Sequence, residues 1–246
     1  MWVRRGSLGP GTPAARDRRR PFDPPADTLL DCGVLSSDPI LAVFASGRGS
    51  NFEALVLAAR RGEFPGRVAA LFSDQPGSPA VERARRLGVE AVCPPCGAYR
   101  TRLEDEHPWI EALRVRGVEA VLLAGFMRRL HQPLLDAFRD RILNIHPSLL
   151  PAFPGLDAIR RAWEHGVRVT GCTVHLVEDQ LDHGAILLQS VVDVRDEDTL
   201  ATLEARIHEV EHLLYPRAVR RFLTEPWRRE GRRLVFSRAR EGAARG

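Results

Sequence analysis

The chain has 246 residues, 44% of them hydrophobic and 28% charged, and its 36 basic side chains are all arginine. Without lysine there is no Walker-type phosphate loop, kinase strand lysine, Schiff-base amine or Ser-x-x-Lys hydrolase. The net charge of +4 sits at the ends: residues 1–38 hold six Arg and five Asp, residues 224–246 hold seven Arg and three Glu, and residues 39–223 hold 23 Arg against 24 acids.

A body so balanced has no electrostatic footprint for nucleic acid. Four cysteines do not make a disulfide framework, and nothing approaches the roughly 18 consecutive apolar residues of a membrane span. Arg4, Arg5 and Arg18 to Arg20 precede no apolar stretch, so a secretory signal is not expected and a cytoplasmic location is.

In chain order, residues 1–38 are rich in Gly, Pro, Arg and Asp and read as a disordered extension. A domain over 39–223 then alternates buried runs with helical stretches. Ile40–Ala45 precedes a helix over Phe52–Arg61, Val68–Ser73 a helix over Pro79–Leu87, and Val89–Cys93 a helix around Arg102–Arg116. Ala120–Ala124 and Ile142–His146 are further runs, and Thr173–Val177 and Ile186–Val194 follow with no full helix between them. The longest helix is expected over Asp198–Leu223, with Asp198 as N-cap and Leu200, Leu203, Ile207, Val210 and Leu214 as its apolar stripe. The pattern predicts an α/β fold: a Rossmann-like, mostly parallel sheet, helices on both faces, and antiparallel strands added late. Residues 224–246 form an Arg-rich C-terminal tail in which only Leu234–Phe236 has the character of a strand.

Five motifs carry chemistry, and each has a plainer reading. Gly47-Arg48-Gly49-Ser50-Asn51 lies between the first strand and the first helix, where free amides can hold a phosphate. It is equally a plain glycine turn, and Phe52 in place of a third glycine argues against a dinucleotide. Asn144 and His146, two apart at the end of a parallel strand, share one face. That is where such sheets place their chemistry, although a pair of strand-capping polar residues looks the same.

His208-Glu209-Val210-Glu211-His212 fits the His-Glu-x-x-His zinc pattern. Its extension fails at Tyr215 and Ala218, and helical geometry directs His208 and His212 to solvent. Cys93-Pro94-Pro95-Cys96 has redox spacing but trails a strand instead of opening a helix. Asp182, before His183-Gly184, is by itself ordinary turn chemistry.

Taken together and in order, these stretches resemble the phosphoribosylglycinamide formyltransferases, folate-dependent enzymes of purine synthesis. The carrying segments are Ala45–Asn51, Leu123–Arg128, Leu143–Pro151, Leu181–Gly184, and Glu211-His212 with Tyr215-Pro216. The resemblance implies transfer of the formyl group of 10-formyltetrahydrofolate to the amine of 5'-phosphoribosylglycinamide (GAR), with no metal. It implies a catalytic trio of Asn144, His146 and Asp182. It also implies GAR binding by Gly49, Ser50, Asn51 and the segment His208, Glu209, Val210 and Glu211.

Folate binding is implied for Arg102, for Met127, Arg128, Arg129 and Leu130, for Asn144, and for the loop of Glu178, Asp179, Gln180, Leu181 and Asp182. Such an enzyme works as a monomer or homodimer with neither nucleic acid nor membrane as partner. The main alternative is a formyltetrahydrofolate hydrolase, which shares the trio but has no use for the phosphate loop or Glu211. A tRNA-directed formyltransferase would need a further RNA-binding domain. Nucleic-acid binding through the basic tail is the non-enzymatic reading, separable by tail deletion and salt-dependent DNA binding.

Overall fold

The computed structural model describes residues 35–237. The expectations for residues 1–34 and 238–246 lie outside the described residues. The elements are β1 (Ile40–Phe44), α1 (Ser50–Arg60), β2 (Arg67–Phe72), α2 (Pro79–Arg86), β3 (Glu90–Val92), α3 (His107–Arg114), β4 (Ala120–Leu123) and α4 (Gln132–Ala137). They continue with β5 (Ile142–His146), α5 (Ala158–Glu164), β6 (Val169–Leu176), β7 (Ile186–Asp193), α6 (Leu200–Thr224), β8 (Trp227–Glu230) and β9 (Arg233–Phe236).

They build one sheet in the order β3-β2-β1-β4-β5-β6-β7-β9-β8. β3 through β5 are parallel, and β6 and β7 run antiparallel to their predecessors. The direction of winding reverses between β1 and β4, so a crevice opens at the carboxyl ends of these strands, the usual ligand position in such folds.

The strands alternate strictly between two cores. Leu41, Val43, Leu71, Leu122, Leu143 and Ile145 pack under α1, α2 and α6. Ala42, Phe44, Ala70, Phe72, Val121 and Ile142 pack against Trp109, Ile110 and Leu113 of α3 and Leu134 and Leu135 of α4. A sheet buried on both faces explains why its strands read as unbroken apolar runs. Tyr215 of α6, fully buried, sets its hydroxyl 3.0 and 3.1 Å from the carbonyls of Leu123 and Leu143 and donates to them, tying the helix to the ends of β4 and β5.

Several boundaries depart from the sequence pattern for local reasons. The helix expected from Arg102 starts only at His107, because the segment before it is pinned as a loop: Arg128 donates to the carbonyls of Tyr99 and Arg102. α6 is capped by Thr199, not Asp198. Thr199 and Thr202 form a capping box, while Asp198 accepts from Thr202 Oγ1 and pairs with Arg206. β6 begins four residues earlier than Thr173 because Val169 and Thr170 continue the ladder with β7.

The C-terminal segment also differs. Two strands, β8 and β9, form a hairpin that joins the edge of β7 at Ile186↔Arg233. Trp227, Leu234 and Phe236 pack on the first core.

Candidate active site

β5 carries Leu143 and Ile145 into the α6-side core and turns Asn144 and His146 to the opposite face. β6 lies antiparallel beside it, with Asn144 opposite His175 and His146 opposite Thr173. His175 Nδ1 is 2.7 Å from the carbonyl of Leu176. A carbonyl only accepts, so Nδ1 carries the proton and Nε2 is bare. Burial, with 2% of the residue exposed, holds the pKa of His175 down and keeps it neutral, although Asp182 nearby pulls the other way. Nε2 therefore accepts from the Asn144 amide at 3.2 Å. That single bond fixes which way the amide faces.

The same reasoning orients His146. Its Nε2 donates to the Phe153 carbonyl at 2.9 Å, which leaves Nδ1 facing Asp182 Oδ2 at 3.5 Å. Asp182 Oδ1 lies 3.7 Å from His175 Nε2, and its Oδ2 also accepts from the Gly155 amide at 2.7 Å. Asp182 sits in a left-handed conformation, φ 52°, and its side chain is 6% exposed. The structure thus brings Asn144, His146 and Asp182 together and adds a fourth member, His175. A lone histidine in an apolar run has no motif to mark it; the available signal was its position opposite Asn144 once β5 and β6 were paired.

At the other end of the crevice, Gly49 precedes α1 at φ 72° with Ala80 only 2.8 Å from where a Cβ would stand, so only glycine fits. The turn is stitched to α2: the Ala80 amide donates to the Gly47 carbonyl, and Arg83 Nε to the Arg48 carbonyl. Ser50 and Asn51 open α1, where the helix amides and dipole favour an anion. Asn51 Nδ2 donates to Glu211 Oε2 at 2.8 Å, and His208 Nδ1 meets the same oxygen at 2.9 Å. The Glu211 bond holds the His208 pKa above its usual value.

Both histidines of this segment are half-buried, which corrects the expectation that they face solvent. Burial against neighbouring elements pushes the His212 pKa down. Glu209 is exposed and Val210 half-buried. Asn51 and His208 both bond to Glu211, and no group of three potential metal ligands occurs among the described residues.

The residues for which the resemblance implied folate binding form a second wall. Ser46 Oγ accepts from the Met127 amide, bringing the β4 loop to the β1 loop. Arg102 stacks on Tyr99, 4.0 Å from the ring centroid, and bridges to Arg129. Arg129 donates to the carbonyl of Asp179 at 2.6 Å. Met127 and Leu181 are exposed, whereas Leu130 is buried in the second core.

Arg128, in the middle of this segment, turns inward. Its guanidinium is buried and paired with Asp74 at 2.6 Å. Burial alone would raise the Asp74 pKa, but hydrogen bonds from Ser46, Arg128 and Gln75 hold it below the usual carboxylate range. Glu178 is half-buried and Gln180 exposed on the loop before Asp182. Cys93, Cys96 and Cys172 are free thiols. Burial pushes the Cys93 thiol up and the Cys172 thiol to about 12, the opposite of redox activation.

A family model described as formyl transferase matches residues 40–219. The phosphoribosylglycinamide formyltransferase of Bacillus subtilis (strain 168) is 42% identical over 182 residues, covering 74% of this chain and 93% of its own. The crystal structure of glycinamide ribonucleotide transformylase 1 from Symbiobacterium toebii matches with a TM-score of 0.78 and 46% identity, covering 82% of this chain and 95% of that one. A formyltetrahydrofolate deformylase from Pseudomonas syringae pv. tomato matches at 23% identity and a TM-score of 0.71, over 82% of this chain and 66% of that one, and shares the fold. From its first strand to well inside its last helix, this chain belongs to the formyl transferase family.

Proposed function

We propose that the protein transfers the formyl group of 10-formyltetrahydrofolate to the amine of GAR, the formylation step of purine biosynthesis that gives the B. subtilis relative its name. The observation that carries the chemistry is the buried Asn144–His146–Asp182 arrangement, with His146 Nδ1 3.5 Å from a carboxylate. The amine attacks the formyl carbon, the carbonyl oxygen becomes an oxyanion, and the folate nitrogen leaves with a proton. One Asn144 N–H is committed to His175, and its second is free to donate to that oxyanion. His146, with Nε2 committed to Phe153, exchanges protons at Nδ1. Asp182 Oδ2 faces that nitrogen at 3.5 Å and orients the ring for the exchange.

Gly49, Ser50 and Asn51 take the phosphate. Glu211, with Oε2 occupied, offers Oε1 to the hydroxyls of the ribose. Arg102, Arg129, the backbone of 127–130 and the loop 178–182 hold the folate.

The deciding experiment mixes the purified protein with 10-formyltetrahydrofolate, with and without GAR. Formyl loss is expected only with the amine present. Equal loss in its absence assigns the protein to the hydrolases instead.

A further inference from the structure

The loop between β6 and β7 carries Asp182, and its neck is narrow. The Leu176 amide donates to the Ala185 carbonyl at 2.9 Å, and a Cβ on Gly184 would stand 1.9 Å from the Leu176 carbonyl oxygen. Beyond the neck, residues 179–181 are exposed, so the loop lacks apolar packing of its own. Its position is set from outside.

Two arginines of the C-terminal hairpin supply much of that restraint. Arg229, on β8, forms an ion pair with Glu178 and reaches Asp140 Oδ1 at 3.5 Å. Arg232, in the turn between β8 and β9, donates from Nε to the His183 carbonyl at 3.2 Å. The grip therefore falls on both flanks of Asp182. Arg229 also separates two carboxylates that would otherwise repel each other.

The hairpin is itself anchored. Phe222 and Trp227 lie 5.5 Å apart, and the Arg221 guanidinium stands 3.9 Å over the Phe236 ring. It lies beyond the segment matched by the family model, which ends at 219.

We propose that Arg229 and Arg232 are positioning residues for formyl transfer: the hairpin latches the 177–185 loop so that Asp182 stays beside His146. The proposal rests on the function given above. A carboxylate displaced by about 1 Å loses much of its effect on the reacting groups, with losses of up to about 10²-fold.

The test is steady-state kinetics on Arg229→Ala/Arg232→Ala, with circular dichroism and thermal melting alongside. We expect a folded protein whose kcat falls about tenfold and whose KM for the formyl donor rises. KM for GAR, whose subsite lies at the far end of the crevice, should not move. Arg229→Lys, which keeps the charge between Glu178 and Asp140, should recover part of the loss. A folded double variant with kcat and donor KM within twofold of wild type overturns the latch, and so does an equal rise in both KM values. If the double variant does not fold, Arg232→Ala decides alone, because it removes one exposed hydrogen bond: unchanged kcat overturns the proposal. A wild-type protein without amine-dependent transfer would instead sink the function on which the proposal rests.

Discussion

Asp182 reaches His146, His175 and the Gly155 amide from one left-handed residue, so its carboxylate bears on the trio more than on either ground-state ligand. Asp182→Asn should therefore cut kcat severely and leave both substrate affinities nearly unchanged. His146→Ala should cost about 10²–10⁴ in rate. The double variant should be little worse than His146→Ala alone, because the two act as a unit. Losses that multiply would show that Asp182 does not work through His146.

At the far end, Ser50→Asp puts a carboxylate at the start of α1, where we propose that phosphate binds. It should raise KM for GAR strongly while sparing folate affinity, as measured by varying each substrate in turn.

His175 gives a pH prediction. Burial holds its folded pKa below the ordinary 6.5. The unfolded chain then binds a proton first as pH falls through about 6.5, and stability declines from there toward the folded pKa. Urea midpoints measured between pH 7.5 and 5.5 should fall more steeply for wild type than for His175→Gln; equal slopes would contradict the assignment of a buried neutral ring. Asn144 and His146 were legible as a period-two pair, and Asp182 through its family segment. His175 was not, because a histidine inside an apolar run reads as core until its strand partner is known. Nor was the inward turn of Arg128, since an arginine in a glycine-flanked loop reads as solvent-facing until its buried partner Asp74 is placed.

At the scale of elements, short helices were the least visible. α4 and α5 have six and seven residues, too few to display a 3.6 period. α4 is instead capped from a distance. Glu106, 4% exposed, accepts from the His131 amide at 2.6 Å and the Leu134 amide at 2.9 Å. Glu106→Ala leaves both donors without a partner and should cost about 2–6 kcal/mol, at about 1–3 kcal/mol for each unsatisfied buried group. Denaturant titration would register it as a lowered midpoint, and a change below 1 kcal/mol would mean that water replaces the carboxylate.

On α6, His208 of the His-x-x-x-His spacing shares Glu211 Oε2 with Asn51. Activity should accordingly survive exhaustive chelation, and His208→Ala/His212→Ala should retain most of kcat. Stoichiometric zinc lost together with activity would reverse that reading.

For the whole molecule, the succession of strands from β1 to β7 followed from apolar runs, because a sheet covered on both faces must be apolar along its length. Of the hairpin only β9 followed, from the run Leu234–Phe236. β8 and β9 contain three arginines among eight residues, and the charges of β8 masked the apolar contact that Trp227 makes with the first core. This bears on the nucleic-acid alternative: removing everything after Thr224 would also remove a packed part of the sheet. The informative deletion is 238–246, which should leave formyl transfer unaltered while abolishing any salt-sensitive DNA affinity.

The docking of α6 has a consequence for biosynthesis. Asn51 and Glu211 meet across 160 positions of chain, and the side of the sheet bearing Leu41, Leu71 and Leu143 is covered in large part by Leu214, Ala218 and Phe222. A ribosome that has made β1 to β7 has therefore made the scaffold of Asn144, His146 and Asp182 but neither Glu211, the partner of Asn51, nor the share of that core's cover that α6 adds to α1 and α2. The emerging chain must carry an apolar face only partly covered, by α1 and α2, until the last helix leaves the exit tunnel. During that interval it is exposed to aggregation and to capture by chaperones. Competence for GAR then arrives in one event, with the helix that closes the core.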